Sequence, residues 1–147
     1  MQKSLLVLLL TILTGLGAIA QNPHTLEEAK DLAAKENKNI LLNFSGSDWC
    51  AQCILMKKNI FDDAAFIDYA QKHLVVLHAD FPRQKKNLLP PDQQKINNQL
   101  ADLYNKNGIF PTTLLLTSDG KVLKIWEGNP KGTAVDFVRS IETISFK

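Results

Sequence analysis

Cys50 and Cys53 are the only two cysteines of the 147-residue chain, and they lie three positions apart. A short apolar segment, residues 40–44, precedes them, and residues 54–58 follow with a helix-like pattern. Cys50 is therefore expected where a turn leads from a strand into the N-terminus of a helix. There, unpaired backbone N–H groups and the helix dipole stabilise a thiolate and can lower a cysteine pKa from about 8.5 to roughly 3.5–7.5. Cys53, one turn later, can close a disulfide with Cys50, so the spacing predicts reversible thiol–disulfide chemistry.

Two other interpretations of the cysteine pair stay open from the residues alone. A static disulfide across two intervening residues closes too small a loop to constrain the unfolded chain much. A metal site would have only two thiolate ligands, which is an incomplete tetrahedral set. The three histidines, His24, His73 and His78, are dispersed without an i, i+4 pair, so no metal ligand is predicted among them.

Residues 1–20 have the features of a secretory signal peptide. Lys3 supplies a positive charge, residues 5–13 form an apolar run, and residues 18–20 fit a small-residue cleavage pattern. The apolar stretch is shorter than the ~20 residues that span a bilayer, which disfavours the alternative of a retained membrane anchor. The sequence predicts a cleaved signal peptide, a single mature domain over residues 21–147, and export, to the periplasm in a Gram-negative bacterium.

The charge balance bears on the class of partner. Removing residues 1–20 takes away Lys3 and no acid, which leaves 16 of the 17 basic residues against 15 acidic ones. This near-balance argues against a nucleic-acid partner. Since disulfides persist in oxidising compartments, an exported domain with one closely spaced pair suits a protein that acts on the thiols and disulfides of other proteins.

The hydrophobic periodicity predicts the element order α-β-α-α-β-α-β-β-α. A capping box of Thr25 and Glu28 starts the first helix, and Thr133 caps the last one. A parallel first half and an antiparallel hairpin over residues 112–127 predict an α/β fold, with a mixed central β-sheet and helices on both faces.

The same periodicity predicts details of three helices. The helix that carries the cysteines is expected to run over residues 50–60, with Met56 in the core. Ile67 is expected to face inward from the third helix and Leu103 from the fourth, with Gly108 as the residue that follows the end of the fourth helix.

Three features of the chain point to a known family: the Trp49-Cys50-x-x-Cys53 segment, Phe110-Pro111 before a strand, and Gly128 after the final strand. By these features the chain resembles the thioredoxin superfamily over roughly residues 25–145, and the resemblance implies a thioredoxin fold. The leading helix, the approach to the cysteines and the inserted loop after residue 80 look most like exported, thioredoxin-like (thiol:disulfide interchange) proteins of bacteria.

The resemblance implies a role for each matching residue. Cys50 would be the attacking thiolate, and Cys53 would resolve the mixed disulfide. Pro111 would be cis and lie against the pair, which leaves the backbone of Phe110 free to pair with an extended substrate. Trp49 would pack beside the first cysteine and border the substrate. The redox-active disulfide would be the only cofactor.

Two departures from the family pattern concern residues that affect the reduction potential and the proton transfer of the cysteine pair. Ala51 and Gln52 stand between the cysteines where the reductases of the family usually carry Gly-Pro, so the reduction potential cannot be transferred. Asn43 occupies the strand position of a buried aspartate, and an amide cannot titrate. Asp48 is nearby in sequence, but it is expected to be a solvated turn residue.

These observations predict an exported thiol–disulfide oxidoreductase that exchanges disulfides with protein substrates, with reduction or isomerisation favoured over oxidation. Its expected partners are protein thiols and disulfides and an upstream thiol donor or acceptor, for which a membrane-bound protein is one candidate. The chain is expected to be a monomer that binds no nucleic acid, metal, nucleotide or flavin. The alternative is a non-catalytic protein that holds a client or Cu(I) through the same two thiolates.

Overall fold

The computed structural model describes residues 22–145. The predicted signal peptide over residues 1–20 lies outside this part of the chain. No helix within residues 22–145 combines the length and apolar character needed to cross a bilayer. The helices and strands follow one another in the predicted order: α1 Leu26–Glu36, β1 Asn39–Ser45, α2 Ala51–Met56, α3 Ala64–His73, β2 Leu74–Asp80, α4 Pro91–Tyr104, β3 Thr112–Leu116, β4 Val122–Glu127 and α5 Ala134–Ser145.

The four strands form one mixed sheet in the order β2-β1-β3-β4. Strand β1 runs parallel to β2, whereas β3 is antiparallel to both β1 and β4. The predicted hairpin of β3 and β4 is confirmed. Because β1 pairs with β2 on one side and β3 on the other, the turn that follows β1 lies near the middle of the sheet edge.

Helices cover both faces of the sheet, as predicted. Alternate residues of β1 point to opposite faces. Ile40, Leu42 and Phe44 pack under α1 and α4, and Leu41 packs under α2, α3 and α5. All four side chains are fully buried, so the near-continuous apolar run of β1 reflects a strand with a core on each side.

The predicted helix starts are found as side-chain caps. Thr25 Oγ1 accepts the N–H of Glu28, and the Glu28 carboxylate accepts the N–H of Thr25. Thr133 and Asp136 make the same reciprocal pair at α5, where Asp136 Oδ2 accepts the Thr133 N–H at 2.9 Å. Both caps satisfy N–H groups that a helix start leaves unpaired.

Two residues predicted to face inward are exposed. Ile67 is 40% exposed, and Tyr69 is buried in its place. Leu103 is 63% exposed, whereas Asn97, one of the polar residues of α4, is 1% exposed and donates a hydrogen bond to the carbonyl of Asp80 at 2.8 Å. In both helices the apolar spacing allowed two overlapping faces, and contact with the sheet selected one of them.

The end of α4 also differs from the prediction. The helix ends at Tyr104, and Asn105 rather than Gly108 closes it. The Asn105 side chain accepts the N–H of Ile109 and donates to its carbonyl, so one amide replaces the glycine-based cap. Gly108 lies beyond the end, with a φ of 61°.

The helix that carries the cysteines is not regular over residues 50–60. It is α-helical only over α2 and continues as a π-helical turn, Lys57–Phe61, in which the N–H of Asp62 donates to the carbonyl of Lys57 at 2.8 Å. The wider turn leaves Ile60 buried and Phe61 packed on the ring of Phe66, with their centroids 5.1 Å apart.

Candidate active site

The two cysteines are joined by a disulfide bond at the start of α2, with their Cα atoms 5.2 Å apart. Cys50 is the N-cap residue, and its Sγ accepts the N–H of Cys53 at 3.2 Å. The Sγ of Cys53 faces the N–H of Gly46 at 3.5 Å. Cys50 is 7% exposed and Cys53 is 5% exposed, so their hydrogen-bond donors distinguish them more than their burial does.

In the reduced protein we expect Cys50 to be alkylated at least about tenfold faster than Cys53 at mildly acidic pH. The N–H that points at Cys50 Sγ comes from the first turn of the helix, where it stabilises a thiolate. The measurement is time-resolved labelling with iodoacetamide followed by peptide mass analysis. The single variants Cys50→Ser and Cys53→Ser give the intrinsic rate of each thiol, and faster labelling of Cys53 would reverse the two roles.

Trp49, the residue before the pair, lies in an aromatic cluster. Its Nε1 donates to the carbonyl of Phe81 at 2.7 Å. Its ring meets the ring of Phe110 edge-on at 5.5 Å, and Phe110 meets Phe81 in the same way at 5.5 Å. A Cβ atom on Gly46 would overlap the Trp49 indole, so this position of the turn requires glycine. The family resemblance implies that Trp49 and Phe110 lie at the pair, but it assigns no role to Phe81 or Gly46.

Pro111 follows Phe110 through a cis peptide bond, as expected from the resemblance. The carbonyl of Pro111 accepts the N–H of Gly128 at 2.8 Å. Gly128 has a φ of 77°, a conformation that side chains disfavour, which explains a glycine at this position. Cys53 and Pro111 line the same open groove of about 810 Å³.

Phe110→Thr is expected to reduce a preference for clients with an apolar residue beside their cysteine. It should also lower the free energy of unfolding by about 1–3 kcal/mol, since two edge-on ring contacts are lost. Reduction kinetics across a peptide series and urea unfolding measure the two effects. Phe61→Thr, which also removes two ring contacts, controls for stability and should keep the preference. Unchanged kinetics in Phe110→Thr would remove this side chain from the client site.

Ala51 and Gln52, between the cysteines, are both exposed in the first turn of α2. Gln52 Oε1 accepts a hydrogen bond from Asn129 Nδ2 at 2.8 Å. This contact links the turn to the loop after β4, 77 residues away in sequence. Asn129 carries no sequence signal that would have placed it at the pair.

Asn43 is 2% exposed, and its amide is fixed by β3. Nδ2 donates to Thr113 Oγ1 at 2.9 Å and reaches the carbonyl of Thr112 at 3.5 Å. Thr113 Oγ1 in turn lies 3.9 Å from the sulfur of Met56, which is 1% exposed in the core, as expected. Asn43 lines the groove beside Cys53, but its amide protons are committed to the neighbouring strand.

His78 is the register partner of Asn43 on β2, so their side chains lie on the same face of the sheet. The His78 side chain is exposed and lines the groove, and its ring meets the ring of Phe61 edge-on at 5.6 Å. Desolvation by the surrounding protein lowers the pKa of His78; the negative charge of Asp80 opposes this shift, and the positive charge of Lys57 adds to it. At neutral pH the imidazole of His78, on the strand next to Asn43, is therefore uncharged.

The lowered pKa of His78 predicts a dependence of stability on pH. In the unfolded chain the imidazole titrates near 6.5. The folded protein binds this proton less readily, so the free energy of unfolding should fall as the pH drops below about 6.5 and be fully present above it. Because water reaches the ring, we expect a loss below about 1 kcal/mol.

Urea unfolding at several pH values tests the contribution of His78. His78→Gln should flatten the curve between pH 7 and pH 5, and measurements at pH 8 give the baseline at which the imidazole is neutral in both states. A curve with the same slope in both proteins would assign the effect to other groups.

Asp48 is not the solvated turn residue that the sequence suggested. Its carboxylate accepts the backbone N–H groups of Arg83 and Gln84, each at 2.9 Å, and the side-chain amide of Asn87 at 3.0 Å. The N–H of Arg83 contributes most to lowering the pKa of Asp48, and desolvation opposes it. The sequence could not show these partners because they are 35 to 39 residues away.

Comparisons with known proteins agree with this geometry. The model of a family described as thioredoxin-like matches residues 20–118. The disulfide bond reductase DsbH of Chlamydia pneumoniae is 36% identical over 107 residues, which cover 73% of this chain and 63% of that protein. The chain therefore spans less than two thirds of the length of this relative.

Solved structures show the same similarity. The structure of a DsbH oxidoreductase has 31% sequence identity and a TM-score of 0.74, with 82% of this chain and 81% of that chain covered. A disulphide isomerase from Xylella fastidiosa Temecula1 has 20% identity and a TM-score of 0.59, with 80% and 88% covered, and this likeness concerns the fold.

Proposed function

The chain belongs to the thioredoxin-like family and has the thioredoxin fold, and from that premise we propose that it is an exported oxidoreductase that reduces or isomerises disulfides in client proteins. The observation that carries the proposal is the Cys50–Cys53 disulfide at the start of α2, with Cys50 Sγ directed at a helix N–H. The name of the Chlamydia pneumoniae relative, a disulfide bond reductase, supports reduction as the direction. The signal peptide predicted from residues 1–20 supports export, to the periplasm in a Gram-negative bacterium.

The reaction follows from the two sulfurs. The Cys50 thiolate attacks one sulfur of a client disulfide; a bond forms between Cys50 and that sulfur, and the other client sulfur leaves as a thiolate that takes up a proton. Cys53, as a thiolate, then attacks Cys50 Sγ and releases the second client thiolate. Two electrons have passed to the client, and the Cys50–Cys53 bond is restored. An upstream dithiol donor must reduce this bond before the next cycle.

The protein around the pair assists these steps. The N–H groups of Cys53 and Gly46 each lie within hydrogen-bond distance of one of the two sulfurs and can stabilise the thiolates. The ring of Trp49, the residue before Cys50, meets the ring of Phe110, and the two rings offer an apolar surface on which an extended client segment can lie. In the proposed reaction the Cys50–Cys53 pair is the redox group, and these groups act on it through their positions.

The alternative is a binding protein that holds Cu(I) or a client through the same thiolates without turnover. Among residues 22–145, no three His, Cys, Asp or Glu side chains are grouped so that they could hold a metal ion. The sulfur of Met56 is buried in the core, 3.9 Å from Thr113 Oγ1. This arrangement favours the oxidoreductase.

Reduction of insulin by dithiothreitol, with and without the protein, separates the two functions. The oxidoreductase should accelerate precipitation of the insulin B chain without added metal, and Cu(I) should inhibit it by occupying the thiolates. Stoichiometric copper binding without any acceleration would support the alternative. Equilibration with a glutathione series then gives the reduction potential of the pair and hence the direction of electron flow.

A further inference from the structure

The loop between β2 and α4, residues 81–90, lies beside the cysteine pair and is basic. It contains Arg83, Lys85 and Lys86 and no acidic residue. A loop of this composition would ordinarily be solvated and mobile. Here the contacts of Asp48 and Trp49, the two residues that precede Cys50, hold it in place.

Asp48 fixes the backbone of the loop. Its carboxylate accepts the N–H groups of Arg83 and Gln84 and the amide of Asn87, and its own carbonyl accepts Gln84 Nε2 at 3.0 Å. Three of these four hydrogen bonds engage the Asp48 carboxylate, with two backbone N–H groups and one side-chain amide as donors, and the fourth engages its backbone carbonyl. The Arg83 side chain does not bind the Asp48 carboxylate, and within residues 22–145 its guanidinium has no carboxylate within ion-pair distance.

Trp49 fixes the direction of the Arg83 side chain. The carbon at the centre of the guanidinium lies 3.6 Å from the centroid of the Trp49 ring. The indole is itself held by the Phe81 carbonyl and by the edge of Phe110. Stacking on an aromatic face leaves the N–H groups at the rim of a guanidinium free to bind a planar anion. The Arg83 guanidinium, which has no anionic partner, is thus held against the residue that precedes Cys50.

We propose that Arg83 is a specificity-determining residue, whose guanidinium binds a carboxylate beside the disulfide of the client, and that Asp48 positions it by clamping residues 81–90. The proposal rests on the proposed function and adds the chemistry of the client. The carboxylate, from Asp or Glu, would pair with the guanidinium in the bidentate geometry that the two planar groups share. An apolar client residue would lie on Phe110. Arg83 and Phe110 would therefore contact different residues of the same client segment.

The test uses three disulfide peptides that differ in one residue beside the cysteine: Glu, Gln or Lys. Second-order rate constants for their reduction by the reduced protein are measured by stopped-flow tryptophan fluorescence. For the wild-type protein we expect the Glu peptide to react about fivefold faster than the Gln peptide and the Lys peptide to be slowest. High salt should diminish this order, because solvent-exposed charges are screened.

Three variants locate the effect. Arg83→Gln should abolish the difference between the Glu and Gln peptides, because the positive charge that favours the Glu peptide is lost. Lys86→Gln, which removes the same charge from the same loop without touching Trp49, should keep the wild-type order. Asp48→Asn should reduce the ratio of the Glu to the Gln rate, because the second oxygen acceptor for the loop is lost, and urea unfolding reports separately on stability.

Each outcome decides between the proposals. If the wild-type protein reduces the three peptides at equal rates, the proposed function stands and recognition by Arg83 is wrong. If Arg83→Gln slows all three peptides equally, the guanidinium acts on the Cys50 thiolate rather than on the client, which also overturns the inference. If the wild-type protein reduces none of the peptides, the proposed function itself fails.

Discussion

Replacing Cys53 with serine should trap Cys50 in stable mixed disulfides with client proteins. The attack of Cys50 on a client needs only the first sulfur, whereas release needs a second sulfur close to it. In the folded protein the two cysteines lie 5.2 Å apart at Cα, and no other cysteine exists in the chain. With a hydroxyl at position 53 the adduct therefore has no internal route to resolution.

The expected loss of turnover is large. Catalysed reduction of insulin should fall at least about a hundredfold in both Cys53→Ser and Cys50→Ser, since each variant removes one of two sulfurs that act as a unit. Only Cys53→Ser should accumulate adducts. These are measured on non-reducing gels of the exported fraction, and reduction of the same samples should release the free protein.

The controls for trapping are Cys50→Ser and the double variant. Both keep the fold-forming contacts of α2 and lack the attacking sulfur, so neither should form adducts. If Cys53→Ser shows no more adducts than the double variant, the oxidoreductase function loses its main support.

The second large effect is expected at Asn43. Asn43→Asp should accelerate the step in which Cys53 resolves the mixed disulfide, because a carboxylate can accept the proton that Cys53 must lose and an amide cannot. General-base assistance is typically worth about 10²–10⁴-fold. The groove beside Cys53 and Asn43 can admit water, so we expect an acceleration at the lower end of that range.

The same substitution should destabilise the fold. The Asn43 amide now donates to Thr113 Oγ1 and reaches the Thr112 carbonyl. A carboxylate would lose both donated bonds, and although the Thr113 hydroxyl can turn to donate, the Thr112 carbonyl would face a second acceptor. Leaving a buried group unsatisfied costs about 1–3 kcal/mol.

The rate of decay of a preformed mixed disulfide, followed against pH, measures the resolving step, and urea unfolding measures the stability. Asn97→Asp is a matched control: Asn97 is 1% exposed and donates to the Asp80 carbonyl, so its change to Asp should destabilise the fold without accelerating resolution. Equal decay rates for Asn43→Asp and the wild-type protein at neutral pH would mean that another group already accepts the proton. His78, on the same face of the next strand, is then the first candidate to vary.

The hydrogen-bond partners of the residues around the cysteine pair could not be predicted from the sequence, because these partners lie in distant segments of the chain. The family resemblance implies that Trp49 packs beside Cys50, but the carbonyl that accepts the hydrogen bond of its indole belongs to Phe81, 32 residues later. Asp48 is a short polar residue of a type common in solvated turns. Its hydrogen bonds to residues 83–87, which fix the loop after β2, form only because the fold brings these residues close to it. Asn43 was identified as buried, yet the partner that fixes its amide, Thr113, is 70 residues away.

The features that could be predicted from the sequence are those that depend on neighbouring residues along the chain. The order of the elements, the Thr25 and Thr133 caps and the hairpin of β3 and β4 follow from local periodicity and short-range hydrogen bonds, and the spacing of Cys50 and Cys53 predicts thiol–disulfide chemistry. The folding of the sheet decided the rest. Parallel pairing of β1 with β2 brings the ends of these strands together, and this contact places the loop of residues 81–90 against the turn before Cys50. Such pairings join residues far apart in the chain, so no local pattern encodes them, and the side chains around the pair are set by the packing of the sheet and its two helical layers.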